Sequence, residues 1–192
     1  MDCRERLALL RMMGETVAGS ASREVAATCF GRLGVLSTIQ THRGEAELLA
    51  RFPECLALLE NLSPHERMLV RQVLASIVEG QAWDESHAAV SCPEQLEHYT
   101  YVVAGCVGEF WTRLGLLAQG PGFSTQPEEQ LLRWGRHYGM GLQLVNILRD
   151  REEDLARGRS YLPAPDDRPW LDRAERWLKE GVFYAEALGK GR

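Results

Sequence analysis

The segment GLQLVNILRDREEDLARGRSYLP, from Gly141 to Pro163, combines the apolar spacing of a helix with a run of polar groups. Each residue of a helix is rotated by about 100° relative to the residue before it. On one continuous helix, a polar face within an arc of roughly 100° holds Gln143, Asn146, Asp150, Glu153, Asp154 and Arg157. Val145, Ile147 and Leu148 fall on the other side, where they can pack into a core. The segment therefore predicts an amphipathic helix.

The same periodicity continues through the rest of the chain. Helices are predicted at 3–19, 22–40, 46–62, 63–83, 91–118 and 168–188. Capping boxes, in which a Ser or Thr and a later Glu close a helix start, are predicted for Ser63 with Glu66 and for Thr125 with Glu128. Pro53 should begin or kink a helix. Because no alternating strand pattern is present, the predicted fold class is all-α.

The composition is that of an ordinary soluble globular protein. Its 192 residues suit one domain with a hydrophobic core, and a net charge of −5 gives no reason to expect nucleic acid as a partner. The five cysteines are scattered without a C-x-x-C pair, which argues against a disulfide framework and a structural zinc site. No apolar run approaches the roughly 20 residues of a membrane span, and the N-terminus lacks a signal-peptide pattern. We therefore predict a cytoplasmic protein.

The acidic residues of the opening segment have few cations beside them. Arg157 lies at the stabilising i,i+4 spacing from Glu153, whereas no cation stands at that spacing from Asp150. Asn146 and Gln143 are also unusual on a helix face that serves only solvation. Carboxylates followed by arginines suit a metal-bridged diphosphate, because Mg²⁺ prefers oxygen ligands and guanidinium groups bind phosphate oxygens. A solvated helix face is the alternative interpretation.

Three stretches resemble motifs of the squalene and phytoene synthase family, the head-to-head prenyl synthases. QLVNILRDREEDLARGRSYLP resembles the second aspartate-rich motif of that family. YTYVVAGCVGEF, Tyr99–Phe110, is similar to its tyrosine and glycine motif, and VEGQAWD, Val78–Asp84, is similar to the element before it. The three motifs occur in the same order as in the family, and their residues most resemble those of bacterial squalene synthases. Within the second stretch, Ala104 and Gly108 predict a close helix crossing.

This resemblance implies an all-α isoprenoid synthase-type bundle around a central cavity. In such proteins two prenyl diphosphates, such as farnesyl diphosphate, are joined head to head through a cyclopropyl diphosphate. It implies Mg²⁺ as the cofactor, held by Asp150 and Asp154 with Glu153 in support, and NADPH as well if the product is squalene. The resemblance also implies peripheral membrane contact through the lipid substrate or product. The residues implied to contact the diphosphate are Gln143, Asn146, Arg157, Arg159 and Tyr161.

Tyr99 matches the first tyrosine of the family motif and is the predicted catalytic residue, placed for proton removal and cation stabilisation. We predict that its ring and the carboxylates of Asp150 and Asp154 border one elongated apolar pocket. The alternative is a tyrosine that only packs and forms a hydrogen bond in the core. Asp84 either supports the site or is merely a helix-end charge, and we favour a structural role for Tyr101.

The chain departs from the family pattern in its aspartates. The family uses two facing aspartate-rich motifs, whereas the sole D-x-x-x-D spacing here joins Asp150 and Asp154. We therefore expect 1–192 to be a single partial prenyl synthase domain, with a motif-bearing core of about 63–163. It would be a fragment, a shortened product or a member that has lost catalysis. The predicted function is that of a prenyltransferase with impaired activity, and the alternative is a non-catalytic member that acts in assembly or interaction.

Overall fold

The structure is a computed structural model and describes residues 1–86, 89–163 and 166–189. A π-helical turn, Tyr101–Gly105, joins two of its helices, and isolated β-bridges pair Ala89 with Ser160 and Ser124 with Leu188. The prediction of an all-α fold is confirmed. None of the helices among the described residues has the length and apolar character that a membrane-spanning segment requires. The α-helices are α1 (Cys3–Ala18), α2 (Arg23–Ile39), α3 (Arg43–Ala50), α4 (Phe52–Glu60), α5 (Pro64–Ser86), α6 (Pro93–Thr100), α7 (Cys106–Gln119), α8 (Glu128–Arg149), α9 (Arg151–Ala156) and α10 (Arg168–Ala187).

One of the two predicted capping boxes is present. The hydroxyl of Ser63 accepts from the backbone N–H of Glu66 at 3.3 Å, and the Glu66 carboxylate accepts from the Ser63 N–H at 3.0 Å. The predicted box at Thr125 is wrong, because α8 begins at Glu128 directly after Pro127. A proline disfavours helical geometry in the residue before it, so the helix cannot extend back to Thr125.

Pro53 lies in the first turn of α4, as its fixed φ angle favours. Of the two alternatives predicted for Pro53, a helix start or a kink, the structure shows the helix start. Further along the chain, the helix of the opening segment is interrupted where the sequence predicted continuity. Helix α8 ends at Arg149 and α9 begins at Arg151, because Asp150 has φ −93° and ψ 7°.

The interruption at Asp150 is local. Its backbone N–H still donates to the carbonyl of Asn146, and its own carbonyl still accepts from Asp154, both at 2.9 Å. Nε and Nη2 of Arg149 donate hydrogen bonds to the two carboxylate oxygens of Asp150. Neighbouring residues on a regular helix do not face each other, so this contact accompanies the departure from helical geometry. The prediction of one continuous polar face through Arg157 is therefore wrong beyond Asp150.

Backbone contacts divide the chain into two compact units, 1–78 and 79–192. In the first unit, a buried cluster contains Leu9 of α1 with Cys29 and Leu33 of α2. In the second unit, α8 packs against both α7 and α10. The buried residues of its core are Val90, Leu96, Tyr99, Met140, Leu144, Ile147, Leu162, Trp170, Ala174 and Trp177.

Small residues let α8 approach α7 and the π-helical turn closely. A Cβ atom added at Gly108 would collide with the backbone oxygen of Gly135, and one added at Gly139 would collide with the oxygen of Ala104. Only residues with little or no side chain permit this separation between two helix backbones. The close crossing predicted from Ala104 and Gly108 is confirmed, and it forms the floor of the groove described below.

Candidate functional site

A small cavity lies where the end of α8 and α9 meet the segment that follows α9. Its volume is about 190 Å³. Asp154, Arg159 and Tyr161, three residues singled out from the sequence, share it. A carboxylate, a guanidinium and a phenol together can bind a metal-bridged anion. The full lining is Ile147, Arg151, Asp154, Leu155, Arg159, Ser160, Tyr161, Leu162 and Pro163.

The two aspartates of the D-x-x-x-D motif differ in their electrostatic surroundings. Arg149 donates to the two carboxylate oxygens of Asp150 at 2.7 and 2.6 Å, and this hydrogen bonding lowers the pKa of Asp150. The cationic partner of Asp150 is thus its neighbour in the chain and not a residue at the i,i+4 spacing considered from the sequence. Partial burial raises the pKa of Asp154, and the carboxylate of Asp150 raises it further. Asp154 is thus the carboxylate that a bound cation would stabilise more.

Glu153 and Arg157 form an ion pair on the exposed side of α9. Arg157 Nη2 donates to Glu153 Oε1 at 2.5 Å, and the side chains are 66% and 62% exposed. The i,i+4 pairing expected from the sequence is therefore present. Neither residue is among the described residues that line the small cavity. Their roles toward metal and diphosphate stay predictions.

Asp84 connects this cavity to the protein core. The hydroxyl of Tyr161 donates to Asp84 Oδ1 at 2.6 Å, and Arg159 Nη1 donates to Oδ2 at 3.2 Å. The Asp84 side chain is only 17% exposed. These contacts favour a supporting role over a helix-end charge. Sequence reasoning could not choose between the two, because the partners are 75 and 77 residues away.

Tyr99 is sealed in the core behind Tyr161. Its ring stacks on that of Tyr161 at a centroid distance of 5.1 Å and lies 5.0 Å from that of Trp83. It is 6% exposed, and burial, followed by the nearby Asp84 carboxylate, raises the pKa of its phenol. The prediction that Tyr99 borders an apolar pocket shared with Asp150 and Asp154 is therefore wrong. Its catalytic assignment stays a prediction without that support.

A π-helical turn, Tyr101–Gly105, lies between Tyr99 and the residues of α7 that line a groove. A π turn closes hydrogen bonds over one more residue than an α turn, so it rotates the faces of the helix on either side. Tyr99, before the turn, faces the core, whereas Val107, after it, lines a groove. Within the turn, the ring of Tyr101 lies 5.8 Å from the guanidinium carbon of Arg136, a contact consistent with a structural role.

An apolar groove of about 780 Å³ runs along α7 and α8. Its volume and apolar character are typical of small-molecule sites. The predicted Gln143 and Asn146 are the last residues of α8 that line it, and Asn146 lies about one turn before Asp150. The structure thus places these two amides at the groove and Asp154, Arg159 and Tyr161 at the small cavity. The remaining lining residues are Val103, Ala104, Val107, Gly108, Trp111, Leu114, Gly115, Ala118, Gln119, Phe123, Gly135, Tyr138, Gly139, Leu142, Tyr184 and Leu188.

Most of the groove escaped sequence reasoning. Apolar residues on α7 and α8 are expected to be core, yet Trp111 is 60% exposed and Leu142 is 46% exposed. Nothing in a helical pattern distinguishes a residue that packs from one that lines a groove. The available signal was the tight spacing of Ala104 and Gly108, which indicated the helix crossing but not the space beside it.

The donor set fits Mg²⁺ only together with an anionic ligand. Among the described residues, no group of three or more His, Cys, Asp or Glu side chains is arranged to hold a metal ion. Mg²⁺ commonly uses one or two protein carboxylates and takes its other oxygens from water and phosphate groups. Asp150 and Asp154 provide such a pair, and a carboxylate gripped by Arg149 keeps further lone pairs for a metal.

Comparisons with known proteins find similarity over a region that includes the small cavity. The sequence model of the family described as "Squalene/phytoene synthase" matches residues 9–167. The chain is 34% identical over 123 residues to a bifunctional lycopene cyclase/phytoene synthase of Phycomyces blakesleeanus. This match covers 63% of the chain and 19% of the relative. The chain is 31% identical over 121 residues to a squalene synthase of Saccharomyces cerevisiae, which covers 60% of this chain and 27% of that protein.

A second bifunctional lycopene cyclase/phytoene synthase, from Colletotrichum graminicola, is 32% identical over 147 residues. This match covers 73% of the chain and 24% of the relative. The chain therefore spans between about a fifth and about a quarter of the length of these curated relatives.

Proposed function

Because this chain belongs to the squalene/phytoene synthase family, we propose that it binds a prenyl diphosphate and takes part in joining two such molecules head to head. The observation that carries the proposal is the apolar groove whose lining on α8 stops at Asn146, about one turn before Asp150. A ligand with a long apolar tail and an anionic head matches this arrangement, since the tail would lie in the groove and the head beside the carboxylates.

Each polar group has a proposed part at the head of the ligand. Asp150 and Asp154 would hold Mg²⁺, which would supply positive charge to stabilise a diphosphate leaving group. Arg159 and Tyr161 donate hydrogen bonds to diphosphate oxygens. The apolar groove keeps water away from the allylic cation that remains. Tyr99 contributes through Tyr161, on which its ring is stacked.

Farnesyl diphosphate is the proposed substrate, and squalene or a phytoene-type compound is the proposed product class. Squalene formation is reductive and consumes NADPH, whereas phytoene-type condensation does not. The lipid product also makes peripheral membrane contact part of the proposal. Incubation of labelled farnesyl diphosphate and Mg²⁺ with and without NADPH, followed by organic extraction, distinguishes these products.

The decisive experiment is a calorimetric titration with farnesyl thiolodiphosphate, an analogue that does not react. We expect saturable binding that requires Mg²⁺. The double substitution Asp150→Asn, Asp154→Asn should weaken this binding by about tenfold or more, equivalent to at least about 1.4 kcal/mol. Glu152→Gln is the matched control, because Glu152 is an exposed acid on the same short helix. It should leave the affinity unchanged.

The apolar part of the site needs its own variant. Leu142→Asp puts a charge into the groove and should weaken binding of the farnesyl analogue but not of inorganic diphosphate. Leu171→Asp is its control, since Leu171 is a comparably exposed leucine of α10 that is not a lining residue.

Absence of binding, or binding independent of Mg²⁺, contradicts the proposal. Binding without any turnover favours a non-catalytic assembly role.

A further inference from the structure

One carboxylate serves two residues of the small cavity. Asp84, in the last part of α5, accepts hydrogen bonds from the Tyr161 hydroxyl at 2.6 Å and from Arg159 Nη1 at 3.2 Å. Arg159 Nη1 also lies 3.2 Å from the Tyr161 hydroxyl. Asp84 itself is not among the described residues that line the cavity. Asp84 therefore contacts two lining residues without lining the cavity itself.

The backbone of the segment that carries Arg159 and Tyr161 is fixed independently of Asp84. The N–H of Val90 donates to the carbonyl of Ser160 at 2.7 Å, within the bridge between Ala89 and Ser160. The Tyr161 ring is held by stacking on Tyr99. Loss of the Asp84 carboxylate should therefore change the orientation of the two side chains rather than the course of the chain.

Asp84 engages only one corner of the guanidinium of Arg159. Nη1 makes both of the contacts, and among the described residues the structure shows no hydrogen bond from Nε or Nη2. Two parallel N–H groups along one edge of a guanidinium are the favoured donors to a phosphate. The Nε–Nη2 edge is thus available, and Arg159 lines the same cavity as Asp154.

We propose that Asp84 is a positioning residue, which holds Arg159 so that its Nε–Nη2 edge meets the diphosphate that Asp150 and Asp154 bind through Mg²⁺. The inference rests on the proposed function, and it extends the site to α5. Charge alone predicts the opposite effect, because a carboxylate close to the cavity repels an anion. The direction in which affinity changes on removal of Asp84 therefore distinguishes orientation from simple electrostatics.

The test is a titration of the chain with inorganic diphosphate in the presence of Mg²⁺. We expect Asp84→Ala to weaken binding by about tenfold, the size expected for a lost charge-assisted hydrogen bond. Asp84→Asn keeps an acceptor oxygen and should lose less affinity. Glu152→Ala removes an exposed carboxylate of α9 that forms no hydrogen bond or ion pair with Arg159, and it should leave binding unchanged or slightly tighter. Thermal midpoints without ligand show whether each variant is folded, and Asp84→Asn replaces Asp84→Ala if the latter is not.

A double-mutant cycle separates positioning from general structural damage. Lysine at position 159 keeps the charge but lacks the two-donor edge, so Asp84→Ala should have little further effect in the Arg159→Lys background. Equal or tighter binding by Asp84→Ala overturns the inference while the proposed function stands. An equal loss in both backgrounds also overturns it. Failure of the unaltered chain to bind Mg²⁺ and diphosphate overturns the proposed function and the inference together.

Discussion

At the level of single residues, Asp154 carries a negative charge that the fold does not fully balance. Partial burial and the neighbouring Asp150 raise its pKa, although Arg157 and Arg159 act in the other direction. Asp150, by contrast, forms an ion pair with Arg149, which lowers the pKa of its carboxyl group. An unbalanced carboxylate costs stability and offers a cation a place to bind, which is the usual compromise at functional sites.

This imbalance predicts that Asp154→Asn stabilises the folded chain at neutral pH. A raised pKa means that the folded state binds the proton more tightly than the unfolded state, whose aspartate pKa is about 3.9. Ionisation therefore opposes folding above the folded-state pKa, and the advantage of asparagine should disappear as the pH falls below about 4. The gain should be less than about 1 kcal/mol, because solvent screens the site.

Urea unfolding at pH 7 and at pH 3.5 measures this effect. Glu152→Gln is the control, since it removes a charge from the same helix at an exposed position. Lower stability of Asp154→Asn at pH 7 would show that Asp154 has a stabilising partner in the folded chain.

Several site residues could be predicted from the sequence because they share one local segment. Asp150 and Asp154 are four residues apart, so helical spacing alone brings them close. The contact of Asp84 with Tyr161 could not be predicted, because it joins residues 77 positions apart and depends on the packing of α5. The pairing of Asp150 with Arg149 was also missed, since neighbouring residues on a regular helix do not face each other and the contact accompanies a local break.

At the level of helices, the crossing of α7 with α8 determines where a groove can exist. The helical type and approximate position of these segments followed from apolar periodicity, whereas the cap predicted for α8 at Thr125 was wrong. The π-helical turn, Tyr101–Gly105, did not follow from that periodicity, because a single inserted residue leaves the composition and most of the periodicity unchanged. Tyr99, before that turn, lies in the core, and Val107, after it, lines the groove.

The closeness of this crossing predicts that Gly108→Ala is strongly destabilising. Its added methyl group would meet the backbone oxygen of Gly135, which no side-chain rotation can relieve. We expect a loss of about 1–3 kcal/mol in the free energy of unfolding, as for other overpacked sites, and a weaker affinity for the farnesyl analogue.

Gly31→Ala is the matched control, because Gly31 lies on helix α2 with open space where the added methyl group would stand. That change should stabilise the chain by about 0.5–1 kcal/mol through the higher helix propensity of alanine. Chemical denaturation followed by circular dichroism compares the two variants. Similar effects of both substitutions would contradict the close crossing.

At the level of the whole molecule, a chain with a net charge of −5 is proposed to bind a strongly anionic ligand. Long-range attraction cannot assist it, so recognition must depend on local groups and on the metal. All of these groups, from Asp84 to Tyr161, lie in the unit 79–192. The family model extends from residue 9 to residue 167, so the similarity covers more of the chain than the site itself.

These features predict that Mg²⁺ and diphosphate stabilise the chain only when both are present. Diphosphate alone is repelled by Asp150 and Asp154, and Mg²⁺ alone finds too few protein oxygens to replace its water. With both at about 100 times the dissociation constant, mass action adds about 2.7 kcal/mol to the free energy of unfolding, or roughly 5–10 °C to the thermal midpoint for a chain of this size.

Differential scanning calorimetry with each component omitted in turn measures this shift. If two transitions appear, the shift should occur in the one that reports 79–192. An equal shift in the Asp150→Asn, Asp154→Asn variant would mean that the ligand binds elsewhere.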